Sequence, residues 1–308
     1  MTSAITAQGL RKSFGTQVVL DGIDLEVPAG SVFALLGPNG AGKTTAVHIL
    51  STLLPPDAGL VSVAGHDLAT DANGIRAAIG VTGQFSAVDK LLTGEENLML
   101  MARLRHLGAA AGRTRVAELL EQFDLVDAAR KPLATYSGGM SRRLDLAMTL
   151  VGDPRVIFLD EPTTGLDPRS RQTMWQIIRD LVARGVTIFL TTQYLDEADE
   201  LADRVAVLDG GRIVATGTPQ ELKRLVPGGH VALTFATGAD LDSAAALFAA
   251  PTDDTLTLRM PIADDEVGTV RSLLTRLDGA GIPVDALAIH TPDLDDVFFA
   301  LTKTKEYS

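Results

Sequence analysis

Gly37-Pro38-Asn39-Gly40-Ala41-Gly42-Lys43-Thr44, followed by Thr45, fits the pattern G-x-x-x-x-G-K-[ST]. Ser31 to Leu36, just ahead of it, is a short apolar run of the kind that forms a buried strand. Thr44 to Leu54, just behind it, has the pattern of a helix stopped by Pro55 and Pro56. Strand, glycine-rich loop and helix in this order make a phosphate-binding loop. The glycines let successive backbone N–H groups converge on an anion at a helix N-terminus, where the macrodipole also favours negative charge. Lys43 adds a point charge and Thr44 offers a hydroxyl to Mg²⁺. The same letters without the flanking strand and helix would be a glycine-rich turn with a chance lysine.

Further along, Val156-Ile157-Phe158-Leu159-Asp160-Glu161 is an apolar strand that ends in two adjacent carboxylates. Asp160 at the strand end can hold Mg²⁺ opposite Thr44, and Glu161 can face the water that attacks a γ-phosphate. By itself the segment would be a strand capped by solvated acids; with the glycine loop upstream, two acids match two chemical roles. Between these motifs lies Tyr136-Ser137-Gly138-Gly139-Met140 ahead of a helix pattern. Alone it is an N-cap and a turn. A serine and two glycines at a helix N-terminus can also offer backbone N–H groups to a phosphate.

The 308 residues suggest two domains. A hydrophobic content of 46% and a charged content of 21% describe a globular chain with a sizeable core. The net charge of −12 argues against a nucleic-acid surface, which needs clustered Lys and Arg. With no cysteine, disulfides, thiolate zinc sites and iron–sulfur clusters are excluded. The five histidines show no ligand spacing. No apolar run approaches the roughly 18–20 residues of a membrane helix, and Met1 to Phe14 has no leader pattern, so the expected place is the cytoplasm. Thirteen acidic and five basic residues fall within Val226 to Ser308, a composition change that coincides with the turn cluster Pro227-Gly228-Gly229. We therefore expect domains at 1–225 and 226–308. Short branched runs at Arg155 to Asp160 and Val186 to Thr191 suit a parallel sheet covered on both faces. Arg204 to Leu208 and Arg212 to Ala215 suit a hairpin. Helical periodicity in 88–150 points to a helical subdomain set into the sheet, and the tail alternates as a small α+β module.

In order and spacing, these motifs resemble those of the ATP-binding subunits of ABC transporters, over about Ile5 to Leu225. The resemblance implies an α/β fold: a P-loop ABC ATPase domain with a mixed sheet core and helical subdomain, plus the small C-terminal α+β domain. It makes Tyr136 to Met140 the family's signature motif, with Ser137, Gly138 and Gly139 meeting the ATP of a partner subunit. Phe14 then stands at the position of the aromatic that stacks on adenine, although alone it would be a core residue. Gln84 matches the glutamine loop that contacts Mg²⁺, and Asp167, in Gly165-Leu166-Asp167, matches the loop that crosses the dimer interface. With one copy of each motif, a complete site needs two chains. The resemblance thus implies ATP and Mg²⁺ as ligands, a second copy of the chain and a separate polytopic membrane permease as partners, and a peripheral place on the cytoplasmic face of the membrane.

One position departs from the common family pattern. Thr191-Thr192-Gln193-Tyr194 has Gln193 where most members have the switch histidine. Glutamine carries no positive charge, and neutral hydrogen bonds are worth about 0.5–1.5 kcal/mol against about 1.5–3 for charged ones. Slow but measurable turnover is the expectation. The segment from Thr191 to Pro219 and the tail Leu294 to Leu301 are similar to those of the daunorubicin/doxorubicin-resistance ATPases, in which glutamine at the switch position is usual. Leu294, Val297, Phe298 and Leu301 lie at helical spacing, so this tail motif packs as a helix face; the resemblance suggests that it also supports the dimer or the permease contact. Two rival readings stand beside the exporter: a soluble ABC ATPase acting on ribosomes or DNA, and an ATP-binding sensor too slow to drive transport.

Overall fold

The computed structural model describes residues 2–83, 88–226, 229–251, 256–262, 266–290 and 292–302. The chain divides into two compact units, Met1–Pro219 and Gln220–Ser308, a division six residues before the composition change.

The first unit opens with β1 (Ser3–Phe14), β2 (Gln17–Pro28), β3 (Val32–Leu36), α1 (Lys43–Leu50), β4 (Ala58–Val63), β5 (His66–Asp67), α2 (Ala72–Ala78) and β6 (Ile79–Thr82). Its helical part is α3 (Gly94–Leu104), α4 (Ala109–Gln122) and α5 (Gly138–Thr149). The chain then returns through β7 (Val156–Asp160), α6 (Pro168–Ala183), β8 (Thr187–Thr192), α7 (Leu195–Leu201), β9 (Arg204–Asp209) and β10 (Arg212–Gly217), and α8 (Pro219–Lys223) spans the division.

Two sheets result. The first, ordered β2-β1-β4-β5, is antiparallel; the second, ordered β10-β9-β3-β8-β7-β6, is parallel apart from the β9–β10 hairpin. Every residue of β3 and β7 is buried, as continuous apolar strands between two covering layers must be. Phe33 stacks on Phe189 with centroids 5.5 Å apart, one strand over. The core that β1, β2 and β4 share with α1 includes Ile5, Leu10, Leu20, Val63, Ala46 and Ile49. The helical part is inserted between β6 and β7, which are direct neighbours in the sheet. Its first helix is held by a capping box of Thr93 and Glu96.

Helix α1 ends at Leu50, four residues before the expected stop. Thr52 takes a left-handed φ of 68°, and the N–H groups of Leu53 and Leu54 turn back to donate to the His48 carbonyl. This closing turn packs Leu54 on the core and leaves Leu53 66% exposed. Pro55 and Pro56 thus follow a helix that is already closed.

The second unit contains β11 (His230–Thr234), α9 (Gly238–Phe248), β12 (Thr257–Pro261), α10 (Glu266–Ala280), β13 (Ala286–His290) and α11 (Leu294–Thr302). The strands form an antiparallel sheet ordered β12-β11-β13. Val231, Leu233 and Leu258 meet Leu241 and Ala244 of α9 and Leu273 and Leu277 of α10. In α11, Leu294 and Val297 are buried and Phe299 is 52% exposed, so the tail motif shows both an inward and an outward apolar residue.

Candidate active site

The parallel register brings the sequence motifs to one edge of the sheet. Leu36 pairs with Thr192, Asp160 with Thr191, and Thr82 with Leu159. The residues that follow these strand ends, Gly37, Gln193, Glu161 and Gly83, therefore leave the sheet side by side. The carboxyl ends of parallel strands are where open α/β sheets bind ligands.

Two glycines of the phosphate-binding loop are fixed by packing. A Cβ on Gly37 would stand 2.3 Å from the Leu208 carbonyl oxygen, and one on Gly42 would stand 2.8 Å from Leu20 at a φ of 109°. Gly40 has a φ of 82° and nothing within 4 Å of where a Cβ would be, so that part of the loop is open. The Lys43 ammonium is buried and donates to the carbonyls of Gly37 at 2.7 Å and Pro38 at 3.1 Å, 3.9 Å from Glu161 Oε1. Burial pulls Lys43 below the usual lysine range, against the pull of the Glu161 and Asp160 carboxylates. A desolvated cation beside an open glycine loop at a helix N-terminus fits an incoming polyanion.

Thr44 Oγ1 donates to Asp160 Oδ2 at 3.0 Å, and the Thr191 hydroxyl donates to Asp160 Oδ1. A hydroxyl and a buried carboxylate at this distance form a hard oxygen donor pair of the type that Mg²⁺ takes. Glu161, the next residue, has a left-handed φ of 48°. For a non-glycine residue such a backbone costs about 1–3 kcal/mol and persists only where its surroundings hold it. This turn separates the two acids: Asp160 stays in the strand, while Glu161 Oε2 accepts from the Thr164 hydroxyl at 3.3 Å and Oε1 faces Lys43.

Ser137 caps α5, its side chain accepting from the Met140 N–H at 3.2 Å. A Cβ on Gly139 would stand 2.5 Å from Ser170 Oγ, so Gly139 lets α5 approach the start of α6. There Asp167 caps α6, and the Ser170 hydroxyl and amide hold its carboxyl below the usual range. Ser137 and Gly139 border a polar cavity of about 240 Å³ together with Asp124, Arg143, Arg169 and Thr173. No residue of the phosphate-binding loop lines it. Phe14 stands at the end of β1, 51% exposed, with the Lys12 ammonium 5.7 Å from its ring centroid. Gln193 is half-buried, and its amide makes no hydrogen bond to another described residue. Gln84 lies outside the described residues.

Three residues to which sequence reasoning gave no role join this constellation. Thr191 fixes Asp160 from the neighbouring strand. Arg142 grips the turn around Glu161. Glu197, fully buried on α7, accepts from the Thr163 hydroxyl at 2.8 Å and the Trp175 indole at 3.4 Å, while its Oε2 has no partner among the described residues. Desolvation pushes the Glu197 carboxyl above the usual range, with Thr192, Thr163 and Trp175 pulling the other way. Its signal in the sequence was an acid at helical spacing from Leu201, on the apolar face of α7.

The family model described as ABC transporter matches residues 20–164. The chain is 48% identical over 305 residues to the daunorubicin resistance ATP-binding protein DrrA3 of Streptomyces coeruleorubidus, covering 97% of this chain and 96% of the relative. It is 46% identical over 307 residues to the daunorubicin/doxorubicin resistance ATP-binding protein DrrA of Streptomyces peucetius, covering 98% and 93%. A solved ATP-binding subunit of an ABC transporter matches with a TM-score of 0.65 and 29% identity, over 72% of this chain and 92% of that one. The chain belongs to the ATP-binding, ATP-hydrolysing subunits of ABC transporters, and within them to the daunorubicin/doxorubicin resistance ATP-binding proteins of the drug-resistance exporter family.

Proposed function

We propose that two copies of this chain enclose two ATP molecules head to tail and that closure and reopening of this dimer drive a separate membrane permease. Each nucleotide is held by Phe14, residues 37–45, Gln84, Asp160 and Gln193 of one copy and by Ser137, Gly138 and Gly139 of the other, with Asp167 in the loop that crosses the dimer interface. Glu161 accepts the proton of the attacking water, or at least orients that water. Lys43 exchanges its carbonyl partners for phosphate oxygens. Thr44, Asp160 and Gln84 would hold Mg²⁺, which would supply charge neutralisation on the phosphates.

The observation that carries the reading is the cavity at Ser137 and Gly139, a helix N-terminus next to arginines and away from the chain's own phosphate-binding loop. Among the described residues no helix is long and apolar enough to cross a membrane, and the proposal assigns the transport path to another chain. An apolar groove of about 440 Å³ between sheet and helical part, lined by Leu53, Val81, Met101, Leu104 and Met148, offers the permease a seat on the cytoplasmic face. The relatives' names support an antibiotic-type cargo moved outward.

The test is the Glu161→Gln chain with Mg²⁺ and ATP, followed by light scattering on a size-exclusion column and by purification from native membranes. The expected species is an ATP-bound dimer of the 32.5 kDa chain that brings a polytopic membrane protein with it. A monomer with bound ATP overturns the sandwich.

A further inference from the structure

Arg142 lies on α5, five residues beyond the cap Ser137, with a side chain only 12% exposed. Its Nε donates to the Pro162 carbonyl at 2.9 Å, and its Nη2 donates to those of Asp160 at 3.1 Å and Glu161 at 3.4 Å. Its Nη1 donates to the Gly83 carbonyl at 3.1 Å and to Asp145 Oδ2 at 3.2 Å. One planar group thus satisfies three consecutive main-chain carbonyls, and the middle one belongs to the residue with a left-handed φ of 48°. A strained backbone needs surroundings that over-determine it. Among the described residues, Arg142 is the cation that touches this turn's carbonyls, and Asp145, one helical turn on, aims it.

We propose that Arg142 is a positioning residue for hydrolysis, setting the backbone of Glu161 from the helix that begins at Ser137. The inference rests on the reading of Glu161 as the residue that faces the attacking water. Because α5 also carries the surface assigned to the partner's ATP, the hydrogen bonds of Arg142 link that surface to the backbone of this chain's own Glu161. Its fourth carbonyl acceptor belongs to Gly83, the residue before Gln84 in the sequence. A lysine keeps the charge but has three donors on a flexible stem, where the guanidinium has five in a fixed plane. The role therefore belongs to the shape of the group as well as to its charge.

The experiment compares Arg142→Lys with the parent in the full chain, and repeats the pair in the Glu161→Gln background. ATP turnover, affinity for a fluorescent ATP analogue and ATP-driven dimerisation are the readouts. The expected result is a kcat at least tenfold lower, an affinity within twofold of the parent, and an ATP dimer of Arg142→Lys/Glu161→Gln as abundant as that of Glu161→Gln alone. A structural role alone lowers all three together. A kcat within twofold of the parent, or parallel losses of affinity and dimer, overturns the proposal. Asp145→Asn, which loosens one Nη1 contact and leaves the carbonyl contacts in place, keeps the test open if Arg142→Lys does not fold; it is expected to lower kcat with affinity retained, and a parental kcat counts against Arg142. The Glu161→Gln control separates this inference from the sandwich reading: its failure to dimerise with ATP removes the sandwich, whereas the kcat ratio of Arg142→Lys to the parent reads the positioning role.

Discussion

Thr44 Oγ1 and Asp160 Oδ2 lie 3.0 Å apart across 116 residues of sequence, one at the start of a helix and the other at the end of a strand. The Thr191 hydroxyl holds the second oxygen of the same carboxylate, so both oxygens are spoken for by hydroxyls before any ligand arrives. Asp160→Asn keeps the shape and removes the charge that a divalent cation needs. It is expected to lower Mg²⁺-dependent ATP turnover by about 10²-fold with a melting temperature within about 2–4 °C of the parent, an offset of roughly 1 kcal/mol. A calorimetric scan and a coupled ATPase assay on the same preparation check both halves.

Gln193→His is expected to raise kcat by about 5–30-fold. The gain from a neutral to a charged hydrogen bond is about 1–2 kcal/mol, and about 1.4 kcal/mol is tenfold in rate. Turnover measured near pH 6, where the imidazole is protonated, gives the larger ratio; an unchanged rate at every pH removes Gln193 from the switch role.

Gly37→Ala places a methyl group against the Leu208 carbonyl, backbone that cannot rotate away. Overpacking of this kind costs about 1–3 kcal/mol, or a fall of about 2–12 °C in melting temperature. Gly138→Ala meets nothing within 4 Å and is the control: its melting temperature stays at the parental value.

Glu197 makes a pH prediction with a definite sign. Its folded pKa is raised above the ordinary 4.5 by burial, so the folded state holds a proton that the unfolded state releases. Its contribution to stability is fully present below 4.5 and declines as pH rises toward the folded value. Glu197→Gln removes that slope. The variant is expected to melt higher than the parent at pH 8 and to lose that advantage at pH 4.5; equal differences at both pH values would mean that the carboxyl does not titrate in this way.

The fold class was legible because its decisive evidence is local. Residues 37–44 carry their strand, loop and helix within one short window, and fully apolar runs such as Val156 to Leu159 have few options but a doubly covered sheet. The antiparallel sheet of β1, β2 and β4 was not legible: its register shifts at several points between β1 and β2, which breaks the period-two alternation that a reader counts. The grip of Arg142 left no trace because its acceptors are mainly main-chain carbonyls, which every residue has. Glu197 was hidden for the opposite reason, since an acid beside Asp196 in a helix is ordinarily a solvated face.

The placement of Gln193 just past the end of β8, half-buried and bonded to no other described side chain, separates timing from architecture. The strand is complete at Thr192, whose hydroxyl and carbonyl already serve Tyr194 and Gly37. Exchanging the next side chain therefore asks nothing of the scaffold. Under the proposed switch role of Gln193, how long an ATP-bound state endures becomes an adjustable property, set at a residue that no other described side chain holds in place.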